Sequence, residues 1–464
     1  MVRDRAILLA WLDAVTPWMF LFAALTTCLA LVYVTPPFQA ADETTHLIRA
    51  DMLTFGPGGF ASQAGPKPRI LARTHVAIMD ADNPFERIKF DNGAKVRAAD
   101  FDDARRAHLD GRIGAASPGL AFNPVFYLPP ATAVAYGRHY GRPVLETLYL
   151  ARLLNALASI GLVFAALRLA RRQGLFVYAI LTLPMAMALY ASVSQDGPMF
   201  GTAALGVAIL SRAMSNDRPL RRLECWGAAA CFGLIAAAKP PYVLLILLLA
   251  AAPANDRRNK WAAIALAVAA AGAWTISTSA TGWAATPPPG SLADAGAQAR
   301  FLADHPADWI PILLRTLSVH TNYHEQFIGI LGWLDTPLPL RFYPTAEVIV
   351  GLAALGSIAI GGRGWGAVRA AALPVALVTM VAVFLALYAA WSDVGGSIIE
   401  GVQGRYFYPP ILALVLLVAG SRNVLDGNPV TGWALVATKA AVLAFPVVSF
   451  VVLLHTLLWR YYLA

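Results

Sequence analysis

Charge is scarce in this chain. Only 14% of its 464 residues are Asp, Glu, Lys or Arg, against about 25% in soluble domains. With 58% of the residues hydrophobic, that shortage excludes an ordinary soluble globule. Cysteine is also nearly absent. The three present, Cys28, Cys225 and Cys231, all lie in or beside apolar segments, so neither an extracellular disulfide framework nor a zinc spacing follows from them. Leu25-Thr26-Thr27-Cys28 is a poor lipoprotein cleavage site, because Thr27 is unsuited to the position before the cysteine. Arg3 and Arg5 before an apolar run read better as an uncleaved signal anchor. No internal repeat and no heptad run is visible. The formal net charge of +9 is spread over short loops between apolar runs, which is a topology signal and not a nucleic-acid footprint. What the chain does have is repeated apolar runs long enough to span a bilayer. It reads as an all-α, polytopic membrane protein.

The first span runs from about Trp18 to Val34, with the N-terminus cytoplasmic. A long outer loop, about residues 35–147, follows. Its basic residues, including Lys67, Arg69, Arg87 and Arg105, alternate with Asp80, Asp82, Glu86 and Asp100, which predicts a small, partly ordered cap. Asn123-Pro124-Val125-Phe126-Tyr127-Leu128-Pro129-Pro130 is too interrupted for an ordinary span and predicts a helix lying along or dipping into the membrane. Spans then follow at about 148–169, 175–192 and 199–214. The apolar stretch 225–252 contains Lys239-Pro240-Pro241, and the basic loop after it favours two short helices meeting outside at Lys239 over one long one. Further spans are expected at about 261–283, 347–360, 373–391, 408–419 and 433–457, with a second outer loop at 284–345. The total is about eleven helices in a single membrane domain, residues 1–464, by hydropathy and loop charge.

One stretch organises the rest: Pro36-Pro37-Phe38-Gln39-Ala40-Ala41-Asp42-Glu43-Thr44-Thr45-His46-Leu47-Ile48-Arg49. The prolines stop the preceding helix, and Asp42 is placed as the N-cap of a new one. In that helix Asp42, His46 and Arg49 share a face at i, i+4 and i+7, with Glu43 alongside. An acid, an imidazole and a cation then point together at the membrane surface; the plainer alternative is a capped interfacial helix whose charges face water.

Other polar motifs fall on the same outer side. Asp196 follows Ser194-Gln195 and serves either a site or as N-cap of the helix beginning at Gly197-Pro198. Lys239 either belongs to a site or snorkels from a helix end. His320 and His324 have metal-like spacing without an acidic protease signature, which favours ordinary loop histidines. Gly401-Val402-Gln403-Gly404-Arg405-Tyr406 is not a dinucleotide fingerprint. Its glycines permit tight turns or close backbone approach, and Arg405 beside Tyr406 either holds a phosphate or anchors the next helix.

These motifs, together with Phe327-Ile328-Gly329-Ile330-Leu331-Gly332-Trp333, resemble a bacterial family of predicted multipass membrane proteins that carries a domain of unknown function and is usually grouped with the GT-C glycosyltransferases. The resemblance covers nearly the whole chain. The region 123–172 is also similar to the arabinose and mannose transferases, where a proline-aromatic helix precedes the second span. The resemblance implies a GT-C fold, a polyprenyl-phosphate sugar donor and an acidic base in the first outer loop. By position that base is Asp42, with Glu43 as the second candidate, and Asp196 stands where those enzymes carry another acidic residue. The large soluble C-terminal domain that some relatives use for acceptors has no counterpart here.

The resulting expectation is an inverting glycosyltransferase of the bacterial inner membrane with its site facing the periplasm. It would move a sugar from a polyprenyl-phosphate donor to a glycan, lipid or protein acceptor. Asp42 or Glu43 would act as base, Lys239, Arg405 and Tyr406 would bind the donor phosphate, and His46, Arg49 and Asp196 would support them. Glu43 and His46 are candidates to hold a divalent cation, Mg or Mn, although the sequence requires no metal. Membrane lipids are partners and nucleic acid is not. The rival readings are a lipid-linked glycan flippase, which calls for ionisable residues along a mid-membrane path, and an envelope glycan polymerase using a similar outer site.

Overall fold

The structure is a computed structural model that describes residues 2–63, 69–109, 111–116, 123–170, 173–280, 292–360, 365–419, 422–423 and 429–463. Lys67, Arg171, Arg172, Pro287 to Pro289 and Arg363 lie outside the described residues.

Helix α1 (Val2–Val34) ends just before Thr35 and the pair Pro36-Pro37. The cap then begins with α2 (Glu43–Thr54). A three-stranded antiparallel sheet follows, β1 (Phe60–Gln63), β2 (Arg69–His75) and β3 (Ile113–Ala116), in the order β1-β2-β3. Between β2 and β3 lie α3 (Val76–Asp82) and α4 (Ala98–Arg105). The buried Asp51 ties sheet to helix: its Oδ2 accepts from Thr74 Oγ1 at 2.9 Å and from the His75 amide at 2.7 Å. The expected cap is therefore a small mixed α/β lobe. The chain is all-α in class as expected, with this small sheet added in the cap.

Helix α5 (Leu128–His139) follows a short 3-10 turn, Pro124–Tyr127, whose first amide donates to the Asn123 side chain at 2.9 Å. It packs along α6 (Val144–Ala170) and α2. The expected span at 175–192 is instead two short helices, α7 (Gly174–Leu181) and α8 (Pro184–Tyr190). Pro184 has no amide hydrogen to donate and so begins a new helix. Both pieces are almost wholly buried, the condition under which broken helices are tolerated at membrane depth. Helix α9 (Asp196–Ser215) packs on α6 through Gly197 and Gly201, where a Cβ would collide with Ser159 and Leu162; small residues at this spacing let helices approach closely.

Helix α10 (Arg222–Ala238) ends at Lys239, and a 3-10 turn, Pro240–Leu245, leads into α11 (Ile246–Ala251). The Leu220 amide donates to Pro253 O at 2.9 Å and the Asn255 amide to Leu220 O at 3.0 Å. The two ends of the segment thus lie side by side, and Lys239 stands where two helical arms meet, the division that the loop charges favour.

The remaining helices are α12 (Arg257–Ala280), α13 (Ala295–Asp304), α14 (Trp309–Val319), α15 (Tyr323–Gly329), α16 (Phe342–Ser357), α17 (Gly366–Ala390), α18 (Tyr408–Ala413), α19 (Val415–Val418) and α20 (Pro429–Tyr461). A hairpin of β4 (Ile330–Leu331) and β5 (Thr336–Pro337) follows α15. Among the described residues five helices are long and apolar enough to cross a membrane, namely Ile7–Val34, Val144–Ala170, Arg257–Thr278, Gly366–Ala390 and Gly432–Tyr461, with four shorter apolar segments beside them. Their outer faces leave Phe22, Leu266, Ile276, Val447 and Val451 exposed, surface that is costly in water and suited to lipid. The cap rests on the C-terminal end of α20. Lys95 Nζ donates to Trp459 O at 2.7 Å, the Val96 amide donates to Tyr461 O at 2.9 Å, and Arg460 Nη2 donates back to Ile88 O at 2.9 Å. A lysine is favourable there because helix C-termini leave carbonyls unpaired.

Candidate functional site

The turn between α1 and α2 is strained. Phe38 and Asp42 have φ of 61° and 62°, a left-handed conformation that costs a residue with a side chain about 1–2 kcal/mol. Such strain persists only where surrounding bonds over-determine it, and here they do. Arg152, wholly buried in α6, donates from Nη1 to Val32 O and Thr35 O, both at 2.8 Å, and from Nη2 to Pro36 O at 3.0 Å. It also makes a fork on Glu43, Nε to Oε1 at 2.7 Å and Nη2 to Oε2 at 2.5 Å. Glu43 accepts two backbone amides as well, Phe38 at 3.1 Å and Val193 at 3.0 Å. Trp333 Nε1 donates to Phe38 O at 3.1 Å, which fixes the turn from the hairpin side.

Glu43 therefore does not share a site with Asp42, and the expectation that it does is corrected. Neither of its carboxylate oxygens is spare, and both it and Arg152 are 0% exposed. Asp42 occupies the N-cap position, yet its side chain makes no capping bond. The left-handed backbone turns the carboxylate away from the helix and toward Arg405.

Arg405 Nη2 donates to Asp42 Oδ2 at 2.6 Å, and its Nε is 3.4 Å from Asp196 Oδ2. Lys239 Nζ donates to Asp196 Oδ1 at 2.7 Å and lies 4.0 Å above the Tyr406 ring. Two carboxylates and two cations thus form a chain, Asp42–Arg405–Asp196–Lys239, with Tyr406 against both cations. Asp196 and Arg405 are buried, with side chains 3% and 4% exposed, whereas Asp42 is 44% exposed and Lys239 20%. The accessible ends of the chain are one carboxylate, Asp42, and one cation, Lys239.

Each member is held by a local feature. Asp196 is in the first turn of α9, next to Gly197, and its amide donates to Ser194 Oγ at 3.1 Å. Ser194 is in turn fixed by Asn155 Nδ2, which donates to its carbonyl at 3.0 Å. The N-cap alternative for Asp196 does not hold: its carboxylate goes to Lys239 and Arg405. Lys239 ends α10 in an extended conformation before Pro240, which aims it inward from the meeting point of the two arms. Arg405 follows Gly404, whose amide donates to Gln326 Oε1 at 2.9 Å. A Cβ on Gly404 would collide with the backbone of Tyr323 and Phe327. Tyr242 donates to Tyr406 O at 2.9 Å and joins the Lys239 and Arg405 segments.

Behind Asp42, His46 and Arg49 are buried, at 3% and 1% exposure. His46 Nδ1 shares a 2.6 Å hydrogen bond with the Tyr127 hydroxyl, and Arg49 Nη1 donates to Met52 Sδ at 3.2 Å. Burial pushes the His46 imidazole down to about 4 against the opposing pull of Asp42 and Asp196, so the ring is neutral at pH 7. Burial works to raise the Asp42 carboxyl, but the Arg405 guanidinium outweighs it, with help from His46, and holds it below the usual carboxylate range.

The arrangement does not suit a divalent cation. Glu43 is committed to Arg152, His46 to Tyr127, and Asp42 and Asp196 already face cations. Among the described residues no three His, Cys, Asp or Glu side chains come together. His320 and His324 stand apart from the cluster, with His324 3.9 Å from Glu347 at an exposed position.

Sequence reasoning missed Arg152, Tyr127 and Tyr242. A lone arginine inside an apolar span is a signal for the first, since charge at that depth calls for a partner. Tyr127 sits in the proline-aromatic stretch and Tyr242 directly follows Lys239-Pro240-Pro241, and nothing in their spacing marks them.

No curated protein and no solved structure matches the chain. A family model described as predicted membrane protein (DUF2142) matches residues 9–415, most of the length, and includes every residue of the Asp42–Arg405–Asp196–Lys239 chain. The chain belongs to the DUF2142 family of predicted membrane proteins.

Proposed function

We propose that the protein is an integral glycosyltransferase of GT-C type in the bacterial cytoplasmic membrane, with its site facing outward. It moves a sugar from a polyprenyl-phosphate donor to an acceptor hydroxyl. The observation that carries this reading is the half-exposed Asp42 carboxylate bonded to Arg405, with Lys239 beyond it at one end of an apolar bundle. A lipid phosphate brings an apolar tail and an anionic head to such a place, and Arg405, Lys239 and Tyr406 offer it two cations and a hydroxyl.

Asp42 paired with Arg405 is a weak base, because the ion pair stabilises its charged form. A donor phosphate that takes over Arg405 removes that partner and raises the basicity of Asp42 when a base is needed. Asp42 then accepts the proton of the acceptor hydroxyl as the oxygen attacks the anomeric carbon. The bond from that carbon to the phosphate oxygen breaks, its electron pair leaves with the polyprenyl phosphate, and the configuration inverts. General-base help of this kind contributes typically about 10²–10⁴-fold. Arg405 and Lys239 stabilise the charge that develops on the leaving phosphate. Asp196 holds both cations in place, and neutral His46 with Tyr127 backs the Asp42 turn.

The test is sugar transfer from radiolabelled polyprenyl-phosphate sugars by purified protein in lipid, alongside Asp42→Asn. Asn tolerates the left-handed backbone, so the variant isolates the carboxylate. Turnover that falls at least about 100-fold in the variant supports the reading. Full turnover in the variant removes Asp42 as base, and no turnover with any donor removes the transferase.

A further inference from the structure

A cavity of about 40 Å³ sits against the segment 39–41 of the Asp42 turn, walled by Gln39, Gln403 and Arg405 and by the apolar side chains of Met185, Leu189 and Leu331. Three of its lining residues each carry an unsatisfied polar atom. Gln39 Oε1, Gln403 Oε1 and Arg405 Nε are all buried without a hydrogen-bond partner; Arg405 Nε is in ion-pair range of Asp196, at 3.4 Å, without the alignment of a bond. Gln39 is 0% exposed, and its Nε2 donates to Phe85 O at 3.2 Å. That bond sets the orientation of the amide and leaves Oε1 as the unmet acceptor. Buried polar atoms are nearly always paired, so three orphans around one cavity mark a place made for something else.

The atoms define its chemistry. Two carbonyl oxygens need hydrogen-bond donors, and one N–H needs an acceptor. A phosphate oxygen satisfies only the N–H, and a hydrocarbon chain satisfies none of the three. Hydroxyl groups satisfy all of them, since each donates once and accepts twice. The size narrows the choice further. One water needs about 10–15 Å³ of such space, so the cavity takes about three or four oxygen-sized groups and not a whole sugar ring. The apolar wall suits the C–H surface between those groups.

We propose that this cavity receives a hydroxyl-bearing edge of the donor sugar, a hydroxymethyl or a pair of neighbouring hydroxyls, and so sets which sugar the protein accepts. The proposal rests on the reading of the site as a lipid-phosphate-sugar transferase. Arg405 connects the two, because it lines the cavity and also bonds Asp42.

The experiment compares binding of undecaprenyl phosphate with binding of undecaprenyl-phosphate hexoses and pentoses to the full chain in nanodiscs, by native mass spectrometry. The wild type is expected to bind at least one sugar-bearing lipid about ten-fold or more tightly than the bare lipid, because unmet buried polar groups discriminate strongly for hydroxyls. Gln39→Met and Gln403→Met keep side-chain length and remove the acceptors, and each is expected to collapse that margin. Gln403→Met carries the test if Gln39→Met fails to fold. A margin that survives in the folded variants overturns the proposal and leaves the cavity to water. No margin in a wild type that binds both lipids also overturns it, while the phosphate site stands. A wild type that binds neither lipid overturns the transferase reading itself.

Discussion

Replacing Glu43 by Gln tests whether the Asp42 turn is held by charge or only by shape. The substitution keeps the volume and one acceptor oxygen, yet removes the partner charge from an Arg152 that is 0% exposed. Arg152 retains the carbonyls of Val32, Thr35 and Pro36, which solvate it partly, and the Phe38 and Val193 amides compete for a single oxygen. Breaking a buried ion pair from one side costs about 3–5 kcal/mol, and the three carbonyls place the expectation near the lower end, about 3 kcal/mol. An internal control is available in the cap. Arg105 and Asp102 pair at 2.9 Å with side chains 63% and 60% exposed, and Asp102→Asn is expected to cost under about 1 kcal/mol. Unfolding free energies in mixed micelles titrated with a denaturing detergent measure both. If Glu43→Gln costs no more than Asp102→Asn, the pair does not hold the turn and the strain at Phe38 and Asp42 needs another cause.

Three further outcomes follow from the geometry. His46 has a folded-state pKa of about 4, depressed from an unfolded value near 6.5. Its contribution is fully present above about pH 6.5 and is lost as pH falls toward 4, to a limit of about 3 kcal/mol at about 1.4 kcal/mol per unit; melting curves across that window should steepen in the wild type and flatten in His46→Gln. Gly404→Ala places a Cβ against the backbone of Tyr323 and Phe327 and should cost about 1–3 kcal/mol, with faster hydrogen exchange at residues 401–408 by mass spectrometry. Arg405→Lys keeps the charge but not the span that joins Asp42 to Asp196, so transfer should fall at least about ten-fold with the fold retained, because a lysine cannot replace a two-pronged guanidinium.

Much of this was legible from the residues alone. Apolar runs and the Pro36-Pro37 stop define where α1 ends, and loop charge correctly resolves the stretch around Lys239 into two helices. The motifs of Asp42, Asp196, Lys239, Arg405 and Tyr406 do converge, since polar side chains beside apolar spans have few other places to go. What could not be read is which carboxylate goes where. Asp42 and Glu43 are adjacent and chemically alike, and only the left-handed backbone at Asp42, set by partners far away in the chain, sends one to Arg405 and the other to Arg152. The break before Pro184 was also missed, because burial on all sides lets a proline-interrupted segment persist where hydropathy shows one continuous run.

The Arg152–Glu43 fork also sets an order for biogenesis. Its two halves are 109 residues apart, so α1 leaves the ribosome long before the residue that closes the turn beyond it exists. At about 5–20 residues per second that interval is on the order of 5–20 s. During it the acid of the turn has no buried cation, and the segment that carries Asp42 stays open. Closure of the turn is therefore timed by insertion of α6, completion of the site waits longer still for Arg405, and chains stalled before α6 would display the cap to proteases as an unlatched loop.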